Sequence, residues 1–130
     1  MYEIIAGIDS NENRGVAQAK KIAAIPMDPD TVHVTLVHVF EDKADPAVSA
    51  RNVASVHRAA QILEDAGIET TIVEADGNPV TALLEETAER AADLIVVAGR
   101  KRTPTGKALF GSVTQRVILN SDYPVLVVTE

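Results

Sequence analysis

Residues 93–99 read DLIVVAG, and positions 94 to 98 of this stretch are all apolar. A strand that is apolar at every position is typical of the middle of a parallel sheet, where both faces are covered. The glycine that follows allows an abrupt change of chain direction. The stretch therefore predicts a central strand of a parallel α/β sheet at 93–98.

Four more runs of strand length occur at 3–8, 32–40, 70–74 and 124–129, and segments with helical spacing of apolar residues lie at 13–25, at 47–66, from Pro79 and from near Ser112. Gly67 is expected to end the second helix in a left-handed conformation. Asn78 is expected to cap the third helix, with Pro79 at its first position. Strands that alternate with helices predict one doubly wound α/β domain over residues 1–130.

Composition excludes several classes of protein. The 130 residues carry a formal net charge of −7 and only 3% aromatic residues, which argues against nucleic-acid binding by charge or by base stacking. The absence of cysteine excludes a disulfide framework and a thiolate metal site. His33, His38 and His57 are too scattered for a metal set, so we expect structural roles for them. The start of the sequence lacks a signal-peptide pattern and no apolar run is long enough to span a membrane, so we expect a cytoplasmic protein without membrane contact.

The segment after the apolar strand has an unusual charge pattern. Residues 94–121 contain five cations and no carboxylate, although about four carboxylates are expected by proportion. This segment could bind a phosphate for two reasons. Gly99 and Gly111 are expected to adopt positive φ and to let the backbone approach a ligand closely, and a helix that starts at Ser112 would offer free N–H groups. The alternative is a solvated basic loop in which Ser112 and Gln115 form a capping box. A P-loop is excluded because Ala108 follows Lys107.

The string GKALFGSVTQRVILNSDYPVLVV at 106–128, the first strand ending in Asp9, the GNP turn at 77–79 and DLIVVAGR together resemble the universal stress protein family over essentially the whole chain. The resemblance implies a three-layer α/β sandwich of the adenine nucleotide alpha hydrolase-like kind. Its five-stranded parallel sheet would have the strand order 3-2-1-4-5. ATP-binding members of the family hold the nucleotide where strands 1 and 4 part.

The ATP motif of the family, G-x2-G-x9-G-[ST], matches this chain at Gly111 and Ser112. Its second glycine is replaced by a cation, either Arg102 or Lys101 depending on where the match begins. The resemblance implies contacts to adenosine by Gly7, Ile8, Asp9 and Val39, and contacts to ribose and phosphates by Gly99, Gly111, Ser112, Val113 and Thr114. The loop cations Arg100, Arg102 and Lys107 are added to the predicted site because of their charge.

The resemblance implies an ATP-binding, dimeric regulatory or stress-response module, in which the strand at 124–129, starting at Pro124, pairs with its twin. Two alternatives remain open: a slow Mg²⁺-dependent ATP hydrolase with Asp9 near the metal, and a family member that binds no nucleotide and acts through protein partners. For Asp9 itself, capping of the turn after the first strand is a further possibility. No general base is evident beside the phosphates, so at most weak ATPase activity is expected.

Overall fold

A computed structural model describes residues 1–42, 45–100 and 110–129. The five strands are β1 Tyr2–Gly7, β2 Val32–Phe40, β3 Glu69–Asp76, β4 Leu94–Ala98 and β5 Val125–Val128. The four α-helices are α1 Glu12–Ala23, α2 Ala54–Asp65, α3 Pro79–Glu89 and α4 Ser112–Asn120, with short 3₁₀ turns at Pro29–Thr31 and Ala50–Asn52. Within the described ranges no helix has the length and apolar character needed to cross a membrane.

All strand pairs are parallel, and the order in the sheet is β3-β2-β1-β4-β5. This order confirms the predicted fold. β4 is a central strand, between β1 and β5, and its Ile95 and Val96 are fully buried. The apolar stretch that predicted a central strand is therefore covered on both faces.

Alternate residues of each strand enter two separate cores, because successive side chains of a strand point to opposite faces. Ile4 of β1 belongs to the core that is shared with α1 and α2. Ile5 belongs to the core that is shared with α3 and α4. The molecule is thus a three-layer sandwich, with one pair of helices on each face of the sheet.

Local signals at two helix ends are confirmed. Asn78 caps α3, since its side chain accepts hydrogen bonds from the N–H groups of Val80 and Thr81 at 2.9 and 3.1 Å. Gly67 follows α2 with φ of +78°. Both features depend on residues adjacent in sequence, which is why they could be predicted.

The predicted start of the second helix is wrong. Residues 50–52 form a 3₁₀ turn, Val53 is extended, and α2 begins at Ala54 instead of position 47. The N–H of Ala50 donates to Oε1 of Glu74 at 2.7 Å, and Ala50 is buried. This contact from β3 keeps residues 50–52 out of the helix. Glu74 is 24 positions away in the sequence, so the residues around Ala50 do not indicate the contact.

Candidate functional site

The main cleft lies where β1 and β4 stop pairing. The two strands are in register from Ile4 opposite Leu94 to Ala6 opposite Val96, and they separate beyond that point. In doubly wound sheets, ligands bind at this kind of switch point, outside the carboxyl ends of the strands. The cleft has a volume of about 210 Å³ and its lining includes Gly7, Ile8, Asp9, Arg14, Val37, Val39, Glu41, Pro79, Leu83, Val97, Ala98, Arg100, Gly111, Ser112, Val113 and Thr114.

The end of β1 forms the floor of this cleft. A β-carbon at Gly7 would lie 3.2 Å from Cδ2 of Leu83, so glycine allows α3 to pack closely here. Ile8 is held by both of its backbone groups: its N–H donates to the carbonyl of Val37 at 2.9 Å, and its carbonyl accepts from Nδ1 of His38 at 2.7 Å. The buried His38 therefore orients the strand end, as expected of a structural histidine.

The carboxylate of Asp9 is already engaged within the chain. Oδ1 accepts a hydrogen bond from the N–H of Asn11, and Oδ2 accepts one from Nε of Arg14, both at 2.8 Å. The carbonyl of Asp9 also accepts a bond from the hydroxyl of Ser55 in α2. Asp9 thus caps the turn into α1 and pairs with a cation, while it also lines the cleft.

Sequence reasoning missed Arg14. It lies in the first turn of α1, where the sequence alone does not distinguish an arginine from an ordinary surface residue. One indication was available in the sequence, namely the positive charge of Arg14. The N-terminus of a helix favours anions and disfavours cations, so a cation in the first turn is unusual. The structure brings Arg14 to the cleft beside Asp9.

The start of α4 forms the opposite wall. Gly111 is the N-cap residue, and no side chain in the described part of the chain caps this end. The predicted capping box of Ser112 and Gln115 is therefore wrong: Ser112 is the first helical residue, and the N–H of Gln115 donates to the carbonyl of Gly111 at 3.0 Å. The first-turn N–H groups of a helix lack acceptors inside it, so Ser112, Val113 and Thr114 present donors at the cleft.

Thr114 ties this helix to the sheet. Its Oγ1 donates a 2.8 Å hydrogen bond to the carbonyl of Ala98, the last residue of β4. Because Thr114 is buried, this bond fixes the position of the first turn of α4 relative to the cleft. The hydroxyl oxygen still has lone pairs with which it could accept a further bond.

The two predicted glycines differ. Gly111 lines the cleft with φ of −67°, and a β-carbon there would lie 3.7 Å from Nε and Nη2 of Arg100. Gly99 is not among the described residues that line the cleft; a β-carbon there would lie 2.9 Å from Cγ2 of Thr129 and 3.1 Å from Cγ1 of Val127. Positive φ occurs among the described glycines only at Gly67 and Gly77, so the expectation of positive φ at Gly99 and Gly111 is wrong.

Among the described residues, the charged lining combines two cations and two carboxylates. Arg100 and Arg14 line the cleft together with Asp9 and Glu41. The other predicted loop cations, Arg102 and Lys107, lie outside the described residues. In the portions of the chain that the structure describes, no group of three or more histidine and acidic side chains is arranged to hold a metal ion.

The remaining lining is apolar and comes from both sides of the sheet opening. Val37, Val39 and Val97 contribute from the strands, and Leu83 contributes from α3. Of these, only Val39 was predicted. The helical spacing of residues after Pro79 indicated that Leu83 faces a core, but it did not indicate that the same side chain reaches the cleft.

The fold is that of a doubly wound α/β domain, and its cleft is an apolar crevice at the sheet switch point. The start of α4 and Arg100 lie on one side of this crevice, and in this class of domain a helix N-terminus at such a place is a common anion site. The sequence matches the Universal stress protein family over residues 1–129, so this chain belongs to that family. A universal stress protein of Mycolicibacterium smegmatis is 39% identical over 87 residues, which cover 65% of this chain and 67% of that protein. Two further curated relatives are matched over only 49% and 40% of their own lengths.

Solved structures agree with this assignment. A universal stress protein from Archaeoglobus fulgidus superposes with a TM-score of 0.76 at 25% identity, covering 98% of each chain. A universal stress protein in complex with cAMP superposes with a TM-score of 0.70 at 26% identity, covering 98% of this chain and 96% of the other. The fold is thus shared over the full length of these structures, and one of them holds an adenine nucleotide.

Proposed function

We propose that this protein binds an adenine nucleotide, ATP in particular, in the cleft between β1 and β4, and that it acts as a binding or regulatory module. The cleft contains the two kinds of surface that such a ligand needs. Val37, Val39, Leu83 and Val97 offer an apolar crevice for a base, and the start of α4 with Arg100 offers donors for phosphates. The similar structure that carries cAMP supports the same class of ligand.

The observation that carries this proposal is the uncapped start of α4 inside the cleft. Asn11 and Asn78 supply side-chain acceptors to the first turns of α1 and α3. Gly111 supplies none to α4. Within the described part of the chain no side chain competes for the first-turn N–H groups or the positive end of the helix dipole, which favour an anion, and Arg100 adds a full positive charge beside them.

Glycine at the cap is consistent with this role. A β-carbon at Gly111 would meet the guanidinium group of Arg100 at 3.7 Å, so a larger side chain would compete with a phosphate for the space between that group and the helix start. Backbone strain does not require glycine here, because φ is −67°. The absence of a side chain thus has its clearest use in leaving room for a ligand.

A magnesium ion held by Asp9 does not fit the contacts of this carboxylate. In the hydrolase alternative Asp9 would help to hold Mg²⁺, but its two carboxylate oxygens accept hydrogen bonds from Asn11 and Arg14. A metal at Oδ2 would lie close to the positive charge of Arg14. We therefore assign no step to Mg²⁺ and propose nucleotide binding without a hydrolytic role for Asp9.

Calorimetric titration with ATP tests the proposal. Arg100→Gln removes a charge-assisted hydrogen bond to phosphate, which corresponds to a loss of about tenfold or more in affinity. Arg116→Gln is the matched control, because it makes the same charge change on the exposed face of α4, away from the cleft. The proposal is wrong if the wild-type protein does not bind ATP, or if the two variants lose affinity equally.

We further propose that the protein forms a homodimer through the strand at 124–129. β5 lies at the edge of the sheet, and no other described strand pairs with its outer side. Leu126 of β5 is 37% exposed, and an exposed apolar edge strand favours pairing with another chain. A cytoplasmic location stays a prediction from the sequence.

Sedimentation analysis tests the dimer. Leu126→Lys is expected to shift the protein from dimer to monomer, because it places a charge on the proposed interface. Leu119→Lys is the control, since Leu119 is 82% exposed and belongs to α4 instead of the edge strand. A wild-type protein that sediments as a monomer at high concentration would exclude this interface.

A further inference from the structure

We propose that Arg14 is a phosphate-binding residue of the cleft and that Asp9 acts through it, as a positioning residue that holds its guanidinium group. The inference rests on the proposed nucleotide site and deepens it. It assigns a role to Arg14, which the family motif does not contain, and it gives Asp9 a different role from the direct contact with adenosine that the resemblance implies.

The position of Arg14 is not explained by the stability of α1. It occupies the first turn of that helix, where the positive end of the dipole disfavours a cation. Its ion pair with Asp9 is partly exposed, with side-chain exposures of 26% for Arg14 and 48% for Asp9. Pairs in such surroundings contribute little to folding stability. A role in the cleft, which both residues line, accounts for the arrangement.

The ion pair engages only one edge of the Arg14 guanidinium group among the residues that the structure describes. Asp9 contacts Nε of Arg14 through Oδ2 at 2.8 Å. Among residues 1–42, 45–100 and 110–129, no acceptor is recorded for the two Nη groups of Arg14. These groups carry four of the five N–H donors of a guanidinium, and arginine binds phosphate with pairs of parallel N–H donors.

The contacts of Asp9 suit it to holding Arg14 better than to contacting a ligand directly. Oδ1 accepts a hydrogen bond from the N–H of Asn11, which fixes the orientation of the carboxylate. Oδ2 accepts a hydrogen bond from Nε of Arg14 and so positions the guanidinium group. The Ser55 hydroxyl fixes the backbone of Asp9 from the α2 side. An unpaired Asp9 carboxylate would repel a phosphate beside it, whereas the pair of Asp9 and Arg14 is neutral and presents N–H donors.

The cleft then has phosphate donors on two sides. Arg14 belongs to the segment that follows β1, and Arg100 follows β4 and lies beside the start of α4. An anion that binds between the separating strands can be contacted from both sides. Arg14 and Arg100 thus place a guanidinium group on each of these two sides.

A double-mutant cycle with two ligands tests the inference. Wild type, Arg14→Gln, Asp9→Asn and the double variant are titrated with ATP by calorimetry, and adenosine affinity is measured by its displacement of ATP. Loss of a charge-assisted contact predicts that Arg14→Gln weakens ATP binding about tenfold. Asp9→Asn should weaken it by several-fold, and the double variant should be no worse than Arg14→Gln, because Asp9 acts only through Arg14.

Adenosine separates a phosphate contact from a structural disturbance of the cleft, because a disturbance would weaken the binding of both ligands. It has no phosphate, so its affinity should stay within about twofold of wild type in both single variants. Arg14→Lys keeps the charge but loses the paired donors, and it should recover part of the ATP affinity. Arg58→Gln is the matched control: Arg58 also pairs with a carboxylate, Glu12 at 3.4 Å, but does not line the cleft, and its loss should leave ATP binding unchanged.

Several outcomes would overturn the inference. A multiplicative loss of ATP affinity in the double variant, or weaker adenosine binding in Asp9→Asn, would mean that Asp9 contacts the ligand directly. Unchanged ATP binding in Arg14→Gln would remove Arg14 from the site. Thermal unfolding of each variant identifies any loss that comes from misfolding. Failure of the wild-type protein to bind ATP would instead overturn the proposed function.

Discussion

Replacement of Gly99 by alanine separates a packing role of this residue from a role in ligand binding. Gly99 continues the ladder with β5, since its N–H donates to the carbonyl of Val128 at 2.8 Å. The added β-carbon would lie 2.9 Å from Cγ2 of Thr129 and 3.1 Å from Cγ1 of Val127. Both distances are shorter than ordinary contacts between carbon atoms, so β5 or its side chains must move.

The expected cost follows from two opposing effects. Insertion of one methyl group into a packed site typically destabilises a protein by about 1–3 kcal/mol. Alanine also restricts the backbone of the unfolded chain more than glycine does, which stabilises the folded protein by about 0.4–1 kcal/mol. At the midpoints of these ranges, about 2 against about 0.7 kcal/mol, the net loss is about 1.3 kcal/mol, which for a domain of this size lowers Tm by about 5 °C. ATP affinity should stay within about twofold, because Gly99 is not among the described residues of the cleft wall.

Urea unfolding followed by circular dichroism, together with ATP titration, measures both quantities. Thr129→Ser removes Cγ2, the nearest of the two clashing atoms, so it should restore part of the stability of the alanine variant. Gly111→Ala is the matched control for stability, since its β-carbon meets Arg100 at 3.7 Å and its φ is −67°. A Gly99→Ala protein with wild-type stability and a tenfold loss of ATP affinity would refute this reasoning and would place Gly99 in the ligand site.

Three further predictions concern single contacts. Asn78→Ala should destabilise the protein by about 1 kcal/mol in urea unfolding, because the α3 cap to Val80 and Thr81 is lost, whereas Asn78→Ser should retain most of the stability. Gly67→Ala should cost about 1 kcal/mol in the same assay, because φ is +78°, and an unchanged midpoint would contradict the left-handed conformation. Thr114→Val should cost about 1–2 kcal/mol by leaving the Ala98 carbonyl without its donor, and should also weaken ATP binding; full ATP affinity would show that this bond does not position α4.

The strands were predictable because burial determines them. The second strand was predicted at 32–40, as observed, and the other four differ from the structure by one or two residues at one or both ends. Four of the five are runs rich in apolar residues, and such short runs, alternating with helical segments, are typical of a parallel sheet with two covered faces. The third, TTIVE at 70–74, has only two apolar residues, but four of its five residues are β-branched, a type that is enriched in strands. The strand order came from the family resemblance and could not be derived from the runs themselves.

Long-range contacts explain what the sequence did not reveal. The segment before α2 has helical spacing, but Glu74 of β3 captures the N–H of Ala50 and a separate turn forms. Arg14 lies five positions after Asp9, across the junction between β1 and α1. The spacing rules for side-chain pairs within a helix do not apply to such a pair, so the sequence did not predict it. Both contacts depend on where the turn directs the chain, which local propensity does not determine.

The two predicted glycines of the loop show why a motif alone cannot assign roles. They have the same residue type and flank the same segment, yet Gly111 opens onto the cleft and Gly99 is pressed against Val127 and Thr129. A β-carbon at Gly99 would disturb the edge strand, and β4, which pairs with that strand, also carries the Ala98 carbonyl that anchors Thr114. A change at Gly99 could therefore reach the start of α4 only through the sheet. For this reason affinity and stability must be measured together before a loss of binding is assigned to a glycine of this loop.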